Sequence, residues 1–309
     1  MAADLERLAR EFGQDERFAA FAAGLKSQAT VARQLGAPET FVPSLPSATP
    51  TVWVERDLNI TQLVEREHNA LKTFFGKEVP VAQPPALLAE TLRVAEGEGL
   101  SIFQPLYFPA IEFKQNSRFP GWSVKPEEWY WEQIKGGRVD KDAAKLGGYW
   151  SLFDESRRPN YDNGKQMFKD DPLEAILVMG RHEGKIEVPD YLREVPKESR
   201  FGVSPDEQDK FVFPALTDSL RLFNREHSGQ VQVRRPTEME FNFTGNLRYP
   251  YLGQANTWEW LHDSFGDDDR LVGGCSDGGG LAYVDYGWHD DHYGNAAFRP
   301  EVVFLPQAA

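Results

Sequence analysis

Two histidines and two aspartates stand together at His289-Asp290-Asp291-His292, with Asp285, His262 and Asp263 not far along the chain. Imidazole and carboxylate are sensible ligands for zinc or iron. A His-x-x-His spacing aims both rings the same way only on a helix, and no helical periodicity surrounds this one. The cluster therefore reads as a polar loop, and no metal site is assigned to it. Asp267-Asp268-Asp269 offers oxygens for calcium but lacks the spaced ligand pattern of a calcium loop, and reads as a solvated turn. Cys275 is the one cysteine; a soft-metal site wants two sulfurs, so it reads as a small buried residue. Gly273-Gly274 and Gly278-Gly279-Gly280 lack the lysine and the strand-to-helix context of a phosphate loop and read as adaptors for tight turns. No catalytic residue and no cofactor are assigned.

The stretch 276–297 has a different texture. It carries three Tyr, one Trp, two His, four Asp, one Asn and five Gly, and no Lys, Glu, Gln or Met. Tyrosine, tryptophan, glycine and asparagine are the residues of binding loops, because rigid rings supply contact area at low entropic cost. The expected ligand-binding set is Tyr283, Asp285, Tyr286, His289, Asp290, Asp291, His292, Tyr293 and Asn295. Tyr283 and Asp285 share one face if residues 281–286 form a strand. Buried Leu281 and Trp288 are expected to hold the segment down.

The elements that must position these residues are mixed. Leu5, Leu8, Phe12, Phe18, Phe21 and Leu25 fall at helical steps within 4–35. A Pro-rich connection follows over 43–50. Asp57 then reads as the N-cap of a helix carrying Ile60, Leu63, Val64, Leu71, Phe74 and Phe75. Further helices are expected over 86–95, after Pro126, over 172–179, over 205–223 with a kink at Pro214, and from Thr237. Strands are expected over 102–108, 148–154, 231–234, 270–273, 281–286 and 298–304. The division is a helical attachment or oligomerisation region, 1–98, followed by one α+β domain, 99–309.

Four ordered pieces carry a family resemblance: Arg235-Pro236-Thr237-Glu238-Met239-Glu240-Phe241, Asn256-Thr257-Trp258-Glu259-Trp260, Arg270-Leu271-Val272-Gly273-Gly274 and Phe298-Arg299-Pro300. Over roughly residues 230–305 they resemble the formylglycine-generating-enzyme (sulfatase-modifying-factor) family, which reads R-L-P-T-E-A-E-W-E-Y, N-V-W-E-W, R-G-G-S-W and G-F-R. The resemblance implies a loop-rich C-type-lectin-like fold. In it Trp258, Trp260, Phe298 and Arg299 form a structural framework, with Glu238 and Glu240 orienting Arg299. It also implies a copper site built on two cysteines, which a chain with Cys275 alone cannot supply. One branch of that fold, the variable proteins of diversity-generating retroelements, varies surface residues just before a fixed terminal strand. Every residue of 276–297 except Trp288 is encodable by a codon ending in a pyrimidine, as adenine-directed mutagenesis of such a stretch requires.

A net charge of −14 argues against a nucleic-acid surface, which needs a basic stripe. No apolar run approaches the length of a membrane span, and the charged start of the chain has no apolar leader. A cytoplasmic location is expected. The expected function is non-enzymatic binding of an unknown protein or surface ligand through 276–297. An enzyme of the sulfatase-modifying-factor type with a non-copper His/Asp site, or a structural component of a larger assembly, remain as alternatives.

Overall fold

The computed structural model describes residues 59–306. The helix expected over 4–35, the Pro-rich connection and Asp57 lie outside the described residues. Helix α1 (Ile60–Phe75) starts at Asn59, whose side chain accepts the Gln62 N–H at 3.1 Å. The cap is thus Asn59, two residues past Asp57. The helix ends where Gly76 takes φ 68°, a left-handed conformation glycine adopts without a Cβ penalty. Helix α2 (Ala86–Gly97) buries Leu88 and Ala95. Leu63, Leu71, Phe74 and Phe75 of α1 enter the same hydrophobic core as both sheets. The boundary expected at residue 98 therefore falls between helices and strands that share one core.

The architecture is α+β, with eight strands among the described residues: β1 (Phe103–Glu112), β2 (Lys145–Asp154), β3 (Val231–Arg234), β4 (Trp258–Phe265), β5 (Asp269–Gly273), β6 (Val284–Trp288), β7 (Ala296–Phe298) and β8 (Glu301–Phe304). The first sheet is ordered β1-β2-β8-β3 and is antiparallel throughout. The second is ordered β6-β5-β4-β7, with β4 and β7 parallel. Strand β4 was not expected from the sequence. The strand expected over 298–304 is two strands: Phe298 ends the edge strand of the second sheet, and Glu301 opens an interior strand of the first. Arg299-Pro300 carries the chain across.

The longer of the further helices among the described residues are α3 (Glu128–Gly136), α4 (Glu174–His182), α5 (Phe213–Ser219) and α6 (Glu238–Leu247). The long helix expected over 205–223 is interrupted by a π-helical turn, Gln208–Val212, directly before Pro214, which lacks the N–H that would continue a regular helix. Thr237 caps α6 in a reciprocal capping box with Glu240, as its sequence spacing implies. An aromatic cluster of Phe74, Phe75, Phe113, Phe119, Trp122 and Phe243 joins α1 and α6 to the loops after β1.

Candidate functional site

Arg299 is fully buried and staples the two sheets. Its Nε and Nη2 donate to Glu259 of β4 at 3.0 and 2.8 Å, a bidentate pair. Its Nη1 donates to the carbonyls of Asp154 and Ser156 at the end of β2. Glu259 also meets Arg158 at 3.1 Å, and Arg158 donates to the Gly274 carbonyl. The Glu-for-Arg299 role expected of Glu238 and Glu240 thus belongs to Glu259, because the parallel pairing of β4 with β7 sets Glu259 opposite Ala297, two residues before the arginine. Glu240 pairs with Arg234 instead. Trp260 and Phe298 are fully buried, while Trp258 is half-buried.

Glu238 has another character. Its carboxyl is buried, has no hydrogen-bond partner, and is pushed well above the ordinary carboxylate range by burial and then by the charges of Asp263 and Glu127. Asp263, which accepts the Glu238 N–H at 2.6 Å, is pushed up to about 7, mainly by burial. Neighbouring His262 is pushed down to about 3 by burial and by nearby arginines.

Between Gly274 and Phe298 the segment is anchored at many points. Cys275 is buried. The Ser276 N–H donates to the Ala255 carbonyl, and the Gly280–Ala282 turn packs against Gly253, where the Leu281 backbone leaves no room for a side chain. Tyr283 lies on Trp258 with centroids 4.9 Å apart. Strand β6 begins at Val284, three residues later than the expected strand over 281–286. Along it, Val284, Tyr286 and Trp288 alternate with Asp285 and Gly287. Both Val284 and Tyr286 have their amides occupied, by Glu127 and by Asp285 Oδ1.

Tyr286 stacks on Phe265 at 4.2 Å, and Trp129 of α3 lies parallel to Tyr286 at 6.2 Å. The Arg138 guanidinium sits 4.1 Å over Phe265. Trp288, expected as a buried anchor, is 62% exposed, because β6 is an edge strand and none of the described residues covers its end. Leu281 is buried as expected.

The remaining segment residues divide. Tyr286 and Asp290 are exposed; Tyr283, Asp285, His289, Asp291, His292, Tyr293 and Asn295 are half-buried. His289 Nδ1 lies 2.6 Å from the Asp268 carbonyl, whereas His292 Nε2 meets Glu207 at 2.9 Å. Burial opposes charge on His292, yet the Glu207 hydrogen bond and charge hold it above its ordinary value. The two imidazoles are tied to different elements. Among the described residues no group of three or more His, Cys, Asp or Glu is placed to hold a metal ion. Tyr293 stacks on Trp260 at 5.2 Å and donates to Asp291. The Asn295 carbonyl accepts the Trp258 N–H. A single crowded exposed face is therefore not what the nine residues form: half of the loop turns inward onto β4 and onto the Ser204–Glu207 turn.

Two shallow concavities flank Trp288. One, of about 580 Å³, lies over Phe265, Arg138 and His289 and is rimmed by Asp267, Asp268, Asp269 and Asp290. The other, of about 330 Å³, lies between Tyr286 and Tyr293 and includes Asp285 and Asp291. Sequence reasoning missed Trp129, Arg138 and Phe265, which come from elements distant in the chain. Comparisons of the chain with family models, with curated proteins and with solved structures found no match.

Proposed function

We propose that the chain is a non-enzymatic binding protein whose C-terminal segment presents a recognition face on a C-type-lectin-like scaffold of the formylglycine-generating-enzyme type. The observation that carries this reading is the exposure of Trp288 and Tyr286, 62% and 43%, on a strand whose Val284 and Gly287 are buried. Large rings held in solvent beside shallow concavities mark interaction sites. Aromatic anchors dominate the energetics of such contacts. The enzymatic alternative draws less support, since His289 and His292 are tied to separate partners and Cys275 is a lone buried thiol.

The variable-protein reading takes a narrower form. Asp285, Trp288 and Asp290 can change without touching the core; Leu281, Val284, Gly287 and Ala296 cannot, and Tyr286 is tied to the core by its stack on Phe265. A library randomised at the first three positions tests it. Most members should keep the wild-type melting temperature, and partners recovered with the wild type should be lost by Tyr286→Ser/Trp288→Ser. General unfolding of the library, or partners retained by the double variant, would refute the display reading.

A further inference from the structure

The recognition face has a definite charge. Four aspartates rim the larger concavity and two the smaller, six in all, against the single arginine Arg138. That arginine is already engaged over the Phe265 ring. Among the described residues none of Asp267, Asp268, Asp269, Asp285, Asp290 or Asp291 is in an ion pair. This contrasts with the framework, where Glu259, Glu240, Asp154 and Asp171 are each met by an arginine. Carboxylates without an ion-pair partner around a concavity focus a negative potential there. Trp288, lining both concavities, offers a ring face to a cation at the centre of that field.

Resting on the binding reading above, we propose that the occupant of this face is an arginine- or lysine-bearing peptide segment of a partner protein. One basic side chain lies over Trp288 with its charge among Asp267, Asp268 and Asp290, and the segment continues past Tyr286 toward Asp285 and Asp291. Recognition runs through side chains. Strand addition to the β6 edge is disfavoured, because the Val284 and Tyr286 amides are already held by Glu127 and Asp285. The charge of the face and of the whole chain argues against nucleic acid and anionic lipid as occupants.

The test uses the full chain and short fluorescein-labelled peptides of one length: arginine-rich, lysine-rich and glutamate-rich. Fluorescence anisotropy should show binding of the arginine and lysine peptides, weakening as salt is raised, and none of the glutamate peptide. Trp288→Ser and, separately, Asp268→Asn/Asp290→Asn should each weaken the arginine peptide by about tenfold, the scale of one cation–ring contact or a lost local charge pair. The exposed control Glu65→Gln/Glu90→Gln should leave it unchanged. Absence of binding by both basic peptides overturns the proposal. So does binding that survives both face variants, or falls equally in the control, since it is then spread over the acidic surface. A partner lost by Tyr286→Ser/Trp288→Ser that contacts the face through acidic or neutral residues overturns only the basic class and leaves the display reading standing. If neither partner nor basic peptide binds, both fail.

Discussion

At the residue scale, the exposed and buried aromatics of one segment have opposite energetic roles. Trp260 is fully buried and carries Tyr293 on its face, so Trp260→Ala should cost about 3–5 kcal/mol in urea unfolding, the usual scale for a large aromatic deleted from a core. Trp288→Ser should move stability by less than about 0.5 kcal/mol, as solvent-facing substitutions do. Equal losses from the two variants would mean that Trp288 is covered in solution. The Arg299 pair is the second residue-scale test. Glu259→Gln leaves Arg299 buried with half of its counter-charge gone, and breaking a buried pair in this way costs about 3–5 kcal/mol. A Glu259→Gln protein that unfolds at the wild-type denaturant midpoint would show that the sheets are held together without it.

At the element scale, strand β6 is tolerant at its solvent positions and intolerant at one that looks permissive. Gly287 sits where an added Cβ would lie 2.6 Å from Tyr293 and 2.7 Å from Trp260. Gly287→Ala should therefore lever Tyr293 off Trp260 and destabilise the protein by about 1–3 kcal/mol, the cost of overpacking. Asp290→Ala, next to it in the loop but exposed, should not. The comparison is made by thermal unfolding, and a Gly287→Ala protein as stable as Asp290→Ala would show that the loop repacks freely. This glycine adds a fixed position to the framework residues Leu281, Ala282 and Trp288 that the sequence reading set between the variable ones.

At the scale of the whole molecule, buried acids between α3, α6 and the second sheet couple stability to pH. Asp263 has an ordinary value of 3.8 and is pushed up to about 7 in the fold. Between those values the folded chain keeps a proton that the unfolded chain has lost, so this group makes stability fall as pH rises through the window. His262, pushed down to about 3, acts with the opposite sign below its ordinary 6.5 and masks part of the effect in the wild type. Asp263→Asn can still accept the Glu238 N–H; it removes the Asp263 titration together with the charge that helps raise Glu238. Relative to the wild type, it should gain a few kcal/mol in denaturant unfolding between about pH 4 and about pH 7, His262 being common to both. Parallel pH profiles for the two proteins would contradict the raised Asp263 value.

Local signals in the chain determined much of the outline. Helical periodicity in 60–75, the Thr237–Glu240 capping box, the β-rich runs at 102–108, 148–154 and 231–234, and the α+β class all rest on contacts between near neighbours in sequence. The burial of Leu281, Cys275 and Arg299 was legible for a similar reason: each lies within or beside a short motif of small, apolar or strongly paired residues. Tertiary structure alone decided the rest. It made 298–304 two strands in two sheets, because only the packing of those sheets requires the chain to cross at Arg299-Pro300. It gave Arg299 to Glu259 instead of Glu238, because strand neighbours are set by sheet order and not by distance along the chain. It exposed Trp288, because β6 is an edge strand, and turned His292 and Tyr293 inward, because their partners Glu207 and Trp260 lie on other elements. Trp129, Arg138 and Phe265 come together around Tyr286 and Trp288 from three separate parts of the chain, a juxtaposition that no local pattern encodes.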